Sequence, residues 1–257
     1  MSRPRSAALR LPGLAIALTL ALSLVLSLAL SLTPVATAQA AAAEESRPGA
    51  ITVVSDDNYP PYIFRGEDGA IQGILVDEWR AWERQTGIAV RLVATDWGKA
   101  QQIMQAGQAD VIDTIFHNEE RAKVYDFTKP YATLEVPVFV HKDLGGITDV
   151  QSLRGFTIGV KAGDAAIDVL KRQGIHTLKE YDSYLDIILA AKRHDLRVFS
   201  VDKPPALYYL YKLGLEGEFR SAFVLNTGQF HRAVKKGNTA LLRLVENGFA
   251  AIPAGER

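Results

Sequence analysis

The chain has 257 residues, of which 48% are hydrophobic, 23% charged and 9% aromatic, a composition that suits a globular protein with a core of its own. Basic and acidic residues balance at 29 each, so no excess of positive charge points to nucleic acid or an anionic membrane surface. Cysteine is absent, which excludes disulfides, a thiolate nucleophile and a lipid-anchored N-terminal cysteine.

The first element along the chain is a leader, over residues 1–40. Arg3, Arg5 and Arg10 form a basic region, an uncharged Leu/Ala-rich run extends from Leu11 to about Ser31, and Pro34 precedes the small residues Ala36-Thr37-Ala38-Gln39-Ala40. This is the layout of a secretory signal peptide cut after Ala38 or Ala40. The apolar run is also about long enough to span a bilayer, which leaves an uncleaved anchor to the inner membrane as the other reading. Either way the rest of the chain lies on the far side of the membrane, and export without cysteine suits a bacterial periplasm. Without the leader, 26 basic residues face 29 acidic ones.

Residues 41–49 form an Ala/Glu/Pro/Gly linker. Strand-like and helix-like segments then alternate. Ile51–Val54 is an apolar, β-branched strand; Leu75, Trp79 and Trp82 share one face at helical spacing, with Gly87 as C-cap. Ile88–Ala94 reads as a strand, Lys99–Ala106 as a helix ended by Gly107, and Val111-Ile112 as a short strand. The beat resumes with a strand at Phe156–Val160, a helix at Ala165–Arg172 and a helix at Tyr184–Lys192. A strand at Arg197–Val201 and a helix at Pro204–Leu213 follow. Such alternation predicts an α/β fold with largely parallel sheets.

The alternation breaks at Leu134–His141, a long apolar strand followed by the turn-rich Lys142–Asp149, and again near Phe223–Val234. Two extended segments between two α/β blocks predict two lobes joined by two crossings: residues 50–135 for the first lobe, 136–226 for the second and 227–257 returning to the first. In such sheets a ligand sits at the carboxyl ends of the strands, facing the cleft.

Four stretches, in this order, carry a resemblance. They are Asp56-Asp57-Asn58-Tyr59-Pro60-Pro61-Tyr62 with Asp68-Gly69 and Gly73–Asp77; Gly107–Asp110 with Glu120-Arg121 and Phe127–Tyr131; Leu153-Arg154-Gly155 with Gly159–Gly163; and Val201-Asp202 with the helix after it. Residues from about 50 to 252 resemble the bacterial extracellular solute-binding proteins of family 3, of the amino-acid-binding kind. The resemblance implies a type II periplasmic-binding-protein fold, two α/β sandwiches joined by two hinge strands. It also implies capture of a small amino-acid-like ligand for an ABC-type permease, by a monomer that needs no cofactor or metal.

The chemistry of such a ligand gives the residues their roles. A free amino acid carries a carboxylate, an ammonium and a side chain. Arg121 can supply a bidentate fork for the carboxylate, Asp202 an acid for the ammonium, and Tyr59 and Trp97 flat walls. By resemblance these match the family's carboxylate arginine, amino-group aspartate and stacking aromatics, and Asp56 matches a first-lobe acid that meets a basic side chain in some relatives. Each has a plainer reading beside it: Arg121 as a surface arginine neutralised by Glu119 and Glu120, Asp202 as a helix cap, and Tyr59 and Trp97 as core aromatics. Asp77 and Asp110 read as structural.

The sequence departs from the family where the carboxylate would sit. Thr114 keeps a hydroxyl, but Phe116 and Asn118 stand where the resemblance expects Ser or Thr. Asp164, in Gly163-Asp164-Ala165, replaces another hydroxyl residue; an acid there repels a carboxylate unless it points away or meets a cation, although backbone donors at that helix N-terminus can still hold an anion. The altered segments resemble as closely the sensor domains of histidine kinases and diguanylate cyclases, a second reading. A third is an enzyme like the cyclohexadienyl dehydratases, with Asp164 as general acid. The five histidines lack metal-ligand spacing, and no nucleophile elbow or phosphate-binding loop is present.

Overall fold

A computed structural model describes residues 48–256. The leader and residues 41–47 of the linker lie outside the described residues. Among those described, no helix is long and apolar enough to cross a membrane.

The first half opens with strand β1 (Ala50–Asp56), whose apolar run is buried on both faces. Three short strands follow, β2 (Asn58–Tyr59), β3 (Ile63–Arg65) and β4 (Ile71–Gln72), which pair antiparallel into a small separate sheet. Helix α1 (Ile74–Thr86) buries Leu75, Trp79 and Trp82, and Gly87 ends it in the left-handed region at φ 71°, where glycine carries no Cβ penalty. Strand β5 (Ala89–Thr95) leads to helix α2 (Trp97–Gln105), capped by Asp96, whose side chain accepts from the Lys99 N–H at 3.0 Å. Strand β6 (Val111–Phe116) is buried throughout; helix α3 (Glu119–Ala122) and strand β7 (Tyr125–Phe127) complete the block.

Strand β8 (Ala132–His141) then crosses to the second half, built from β9 (Ile158–Lys161), α4 (Ala165–Arg172), β10 (Leu178–Tyr181), α5 (Tyr184–Lys192), β11 (Val198–Ser200) and α6 (Lys203–Lys212). Strand β12 (Phe219–Lys235) crosses back, and helix α7 (Thr239–Ala251) packs on the first half. There the Trp82 indole donates to the Val245 carbonyl at 3.1 Å.

The main sheet runs β10-β9-β11-β8-β12-β6-β1-β5, with β7 on the end of β12. Pairing is parallel within each half, where β1 joins β5 and β6, and β9 joins β10 and β11. It is antiparallel through the middle, where β8 and β12 pair along most of their lengths. The two crossings expected from sequence are therefore neighbours in one hydrogen-bonded ladder. The register shifts twice, between Ser221 and Phe223 and between Val224 and Asn226; such irregularities bend and twist a strand locally.

This topology sets the carboxyl ends of β1, β6, β9 and β11 around one cleft, the location that parallel α/β sheets reserve for ligands. The chain has the α/β, two-lobed architecture that alternation predicted. Helices α3 and α7, the β2–β4 sheet and strands β7 and β10 were not foreseen. Helix α7 has a legible signal in hindsight: Asn238 caps it, accepting from the Leu241 N–H at 3.3 Å, and Leu241, Val245 and Phe249 recur at helical spacing.

Candidate functional site

One small cavity lies between the lobes, of about 10 Å³, room for about one water molecule. Its walls are Asp56, Tyr59, Trp97, Thr114, Phe116, Arg121, Asp164, Tyr184, Asp202 and Phe230. All eight residues singled out from the sequence stand together there; Tyr184 and Phe230 are additions.

Strand ends and helix starts position them. Asp56 ends β1, and Tyr59 sits in β2, 3% exposed, edge-on to Tyr184 and Phe230. Trp97 opens α2 and is 5% exposed. Thr114 and Phe116 belong to β6. Thr114 has φ 57°, a strained conformation for a β-branched residue. It is fixed by hydrogen bonds of its hydroxyl to the Asp113 carbonyl at 2.6 Å and to the Ser55 hydroxyl at 3.1 Å. Phe116 packs against β12 where Gly228 lies; a Cβ there would meet the Phe116 ring at 2.1 Å, so this approach requires glycine.

Arg121 lies in α3, whose N-cap Asn118 accepts from the Arg121 N–H at 2.8 Å. Its guanidinium donates to the Phe116 carbonyl at 2.9 Å and, across the cleft, to the Gly163 carbonyl at 3.3 Å, and it sits 5.6 Å from the centre of the Trp97 ring. Of the two acids in the neutralised-surface alternative, Glu120 pairs with Lys123 instead, and the guanidinium turns to the opposite lobe. Gly163 collects two further donors from the first lobe, the Trp97 indole N–H at 3.2 Å and the Gln101 amide at 3.4 Å.

The second lobe brings Asp164, Tyr184 and Asp202. Asp164 caps α4 and its other oxygen accepts from the Tyr184 hydroxyl at 3.2 Å. Asp202 occupies the N-cap position of α6 but makes no capping hydrogen bond. Its side chain turns into the cleft, where Oδ2 accepts from the Tyr59 hydroxyl at 2.6 Å and from the Tyr184 hydroxyl at 3.4 Å. Asp202 Oδ1 has no hydrogen-bond partner among the described residues. Asp110 and Asp77 fit the structural reading: Asp110 accepts from the Thr52 N–H at 2.7 Å, and Asp77 pairs with Arg80 one helical turn on, at 3.5 Å.

A residue that the sequence reading passed over completes the site. Lys161, at the end of β9 and 1% exposed, reaches across the cleft to form an ion pair with Asp56. Its ammonium lies 4.5 Å from the centre of the Tyr184 ring. Lysine at this position carries no separate sequence signal; only the pairing of β9 with the opposite lobe's acid reveals its role.

Burial dominates the electrostatics. It pushes Asp202 well above the ordinary carboxylate value, helped by the negative charge of Asp164. It raises Asp164 against the pull of Arg121 and Lys161, and Asp56 against Lys161. Burial also lowers Arg121, while Asp164 draws it back up. Tyr59 and Tyr184 are driven well upward by burial and by the acids beside them, so both stay neutral donors. The cleft is thus an enclosed set of acids and cations in which Asp202 Oδ1 and the remaining donors of Arg121 retain unused bonding capacity.

A comparison with known families decides the wider assignment: the model for bacterial extracellular solute-binding proteins, family 3, matches residues 51–257. The chain belongs to that family. Among curated relatives, the L-cystine-binding protein TcyJ of Escherichia coli is 28% identical over 211 residues, 79% of this chain and 77% of the relative. The solved structure of holo ArgBP from T. maritima is 24% identical with TM-score 0.71, covering 79% of this chain and 89% of that one. A histidine kinase sensor domain with similarity to periplasmic binding proteins is 23% identical with TM-score 0.75, covering 79% and 90%. Two of these relatives are binding proteins by name and the third is a sensor domain, and ligand binding is the activity that family membership supports.

Proposed function

We propose that this family 3 protein captures a free amino acid between its lobes and presents the closed form to an ABC-type permease. The observation that carries the reading is the opposition of Arg121 and Asp202. They come from different lobes, line one cavity, and still have a donor fork and an unpartnered acceptor oxygen to offer. A zwitterion's carboxylate and ammonium satisfy both at once, and only when the lobes are together, so ligand binding favours closure. Tyr59 and Trp97 form the walls, and Asp56, Thr114, Phe116 and Asp164 shape the rest. The lobes divide at residues 135–136 and 226–227, and the paired strands β8 and β12 absorb the rotation. The likeness to a cystine-binding protein and to arginine-bound ArgBP supports an amino acid as the ligand class.

The leader sends the protein to the periplasm, where it works as a monomer. A second reading, a ligand-sensing domain of a membrane receptor, uses the same closure and is supported by the likeness to the histidine kinase sensor domain. A neighbouring gene for a permease or for a kinase separates the two. The binding reading is tested by thermal-shift titration with the proteinogenic amino acids. Arg121→Ala is expected to cost about 2–5 kcal/mol of affinity, roughly thirtyfold or more, for whichever amino acid stabilises the parent. Equal stabilisation of variant and parent overturns the carboxylate assignment.

A further inference from the structure

Around the cavity stand the carboxyl groups of Asp56, Asp164 and Asp202, with the guanidinium of Arg121 and, bonded to Asp56, the ammonium of Lys161. These groups are not equally available to a ligand. One oxygen of Asp56 accepts from the Asn58 N–H at 3.0 Å, and the other is taken by Lys161. Asp56 is 2% exposed and Lys161 1%, so the pair is out of water and screened little by salt. Asp202, also 2% exposed, keeps one oxygen without a partner. Arg121 spends donors only on two backbone carbonyls, and a guanidinium has five. The open valences therefore match the ammonium and carboxylate common to all amino acids. Asp164 spends its two oxygens on the Ala165 N–H and the Tyr184 hydroxyl, and Asp56 is already neutralised from within.

A ligand with a cation at the far end of its side chain would have to meet Asp56 in competition with Lys161. Two ammonium groups cannot share that enclosed carboxylate, because like charges repel strongly where water is excluded. One positive charge from the ligand is thus interchangeable with the one that the chain supplies.

We propose that Lys161 is a built-in counterion that occupies the cation place opposite Asp56, so that the protein selects amino acids with uncharged side chains and Lys161 sets that selection. The inference rests on the amino-acid reading above and adds the side-chain class. Removing the lysine vacates a buried acid that a basic amino acid can refill; removing the aspartate frees a cation that an acidic one can meet.

Isothermal titration of the parent, Lys161→Met, Asp56→Asn and the double variant with glutamine, leucine, glutamate, arginine and lysine tests it. The parent is expected to bind glutamine or leucine at least tenfold more tightly than arginine or lysine. Lys161→Met is expected to gain at least tenfold for arginine or lysine over the parent, Asp56→Asn to gain for glutamate, and the double variant to gain for neither. Because Lys161→Met leaves Asp56 unpaired, arginine is also expected to raise its melting temperature. A parent that binds arginine as tightly as glutamine, or a Lys161→Met protein that neither arginine nor lysine binds or stabilises, overturns the inference and leaves the amino-acid reading standing. A panel in which no amino acid binds any of the four proteins overturns both.

Discussion

Two clusters of acids and cations sit in this molecule and are arranged differently. In the first lobe, Arg232 of β12 pairs with Glu78 and, at 3.1 Å, with Asp113, while Phe249 and Tyr131 lie 3.5 Å and 4.2 Å from its guanidinium carbon. Asp113 is saturated further by the Trp79 indole at 2.7 Å and the Tyr131 hydroxyl at 2.6 Å. Every partner belongs to one lobe, and the cluster locks α1, β6, β12 and α7 together. In the cleft, Lys161 and Asp56 come from opposite lobes, as do Arg121 and Asp164, and one oxygen of Asp202 is unpaired. A saturated cluster inside one lobe stabilises a shape. A cluster divided between two lobes, with valences left over, makes the distance between them depend on what else is present.

The contrast can be broken most severely at Arg232. Arg232→Ala leaves the buried Asp113 and the half-buried Glu78 without their cation and is expected to cost about 3–5 kcal/mol of unfolding free energy. Chemical denaturation measures it, and ligand affinity of the folded fraction is expected to stay at the parent's value. If affinity collapses as well, the two clusters are not separate devices.

Asp202 sharpens the contrast through pH. Burial holds it well above its ordinary value of 3.8, so its ionised form is the costly one in the folded state. Its contribution to stability is therefore full below that ordinary value and is lost as pH rises through the raised folded value. Asp202→Asn is expected to flatten the fall in melting temperature across that rise and to make the ligand-free domain about 1 kcal/mol more stable at neutral pH, while abolishing ligand-induced stabilisation. Asp126 and Glu218, held low by hydrogen bonds from Lys236 and Lys142, act in the opposite sense. Both remain in the variant, so the difference between the proteins isolates Asp202. A variant that is no more stable than the parent at neutral pH contradicts the direction.

The smallest effect is expected at the rim, where Lys212 of the second lobe meets Glu67 of the first at 3.5 Å with both side chains largely in water. Lys212→Ala should change stability and affinity by about 0.5 kcal/mol or less, and less still in high salt. A larger loss of affinity on titration would show that lobe closure leans on its edges as well as its interior.

The sequence made much of this legible for a physical reason. Strands buried on both faces read as unbroken apolar runs, as in β1 and β6, and amphipathic helices such as α1 show a helical period. Asp202 and Asp164 could be placed at a strand end and a helix start, where α/β sheets hold ligands; Asp56 and Arg121 were legible through the family resemblance. What stayed hidden depends on distance along the chain. Lys161 meets Asp56 across 105 residues, and no local pattern distinguishes a lysine that crosses a cleft from one in solvent. The small sheet of β2, β3 and β4 was missed because its strands are two or three residues long, too short for an alternation to register.

The carbonyl of Gly163 accepts from Trp97, Gln101 and Arg121 at 3.2–3.4 Å, and this residue has φ +72°, a left-handed conformation that glycine adopts without a Cβ penalty. That single oxygen works as a clasp: three bonds fasten and release together. A molecule that takes up the remaining donors of Arg121 adds to that clasp without undoing it. The strength measured for any guest therefore rests on a closure that the protein's own backbone already helps to hold.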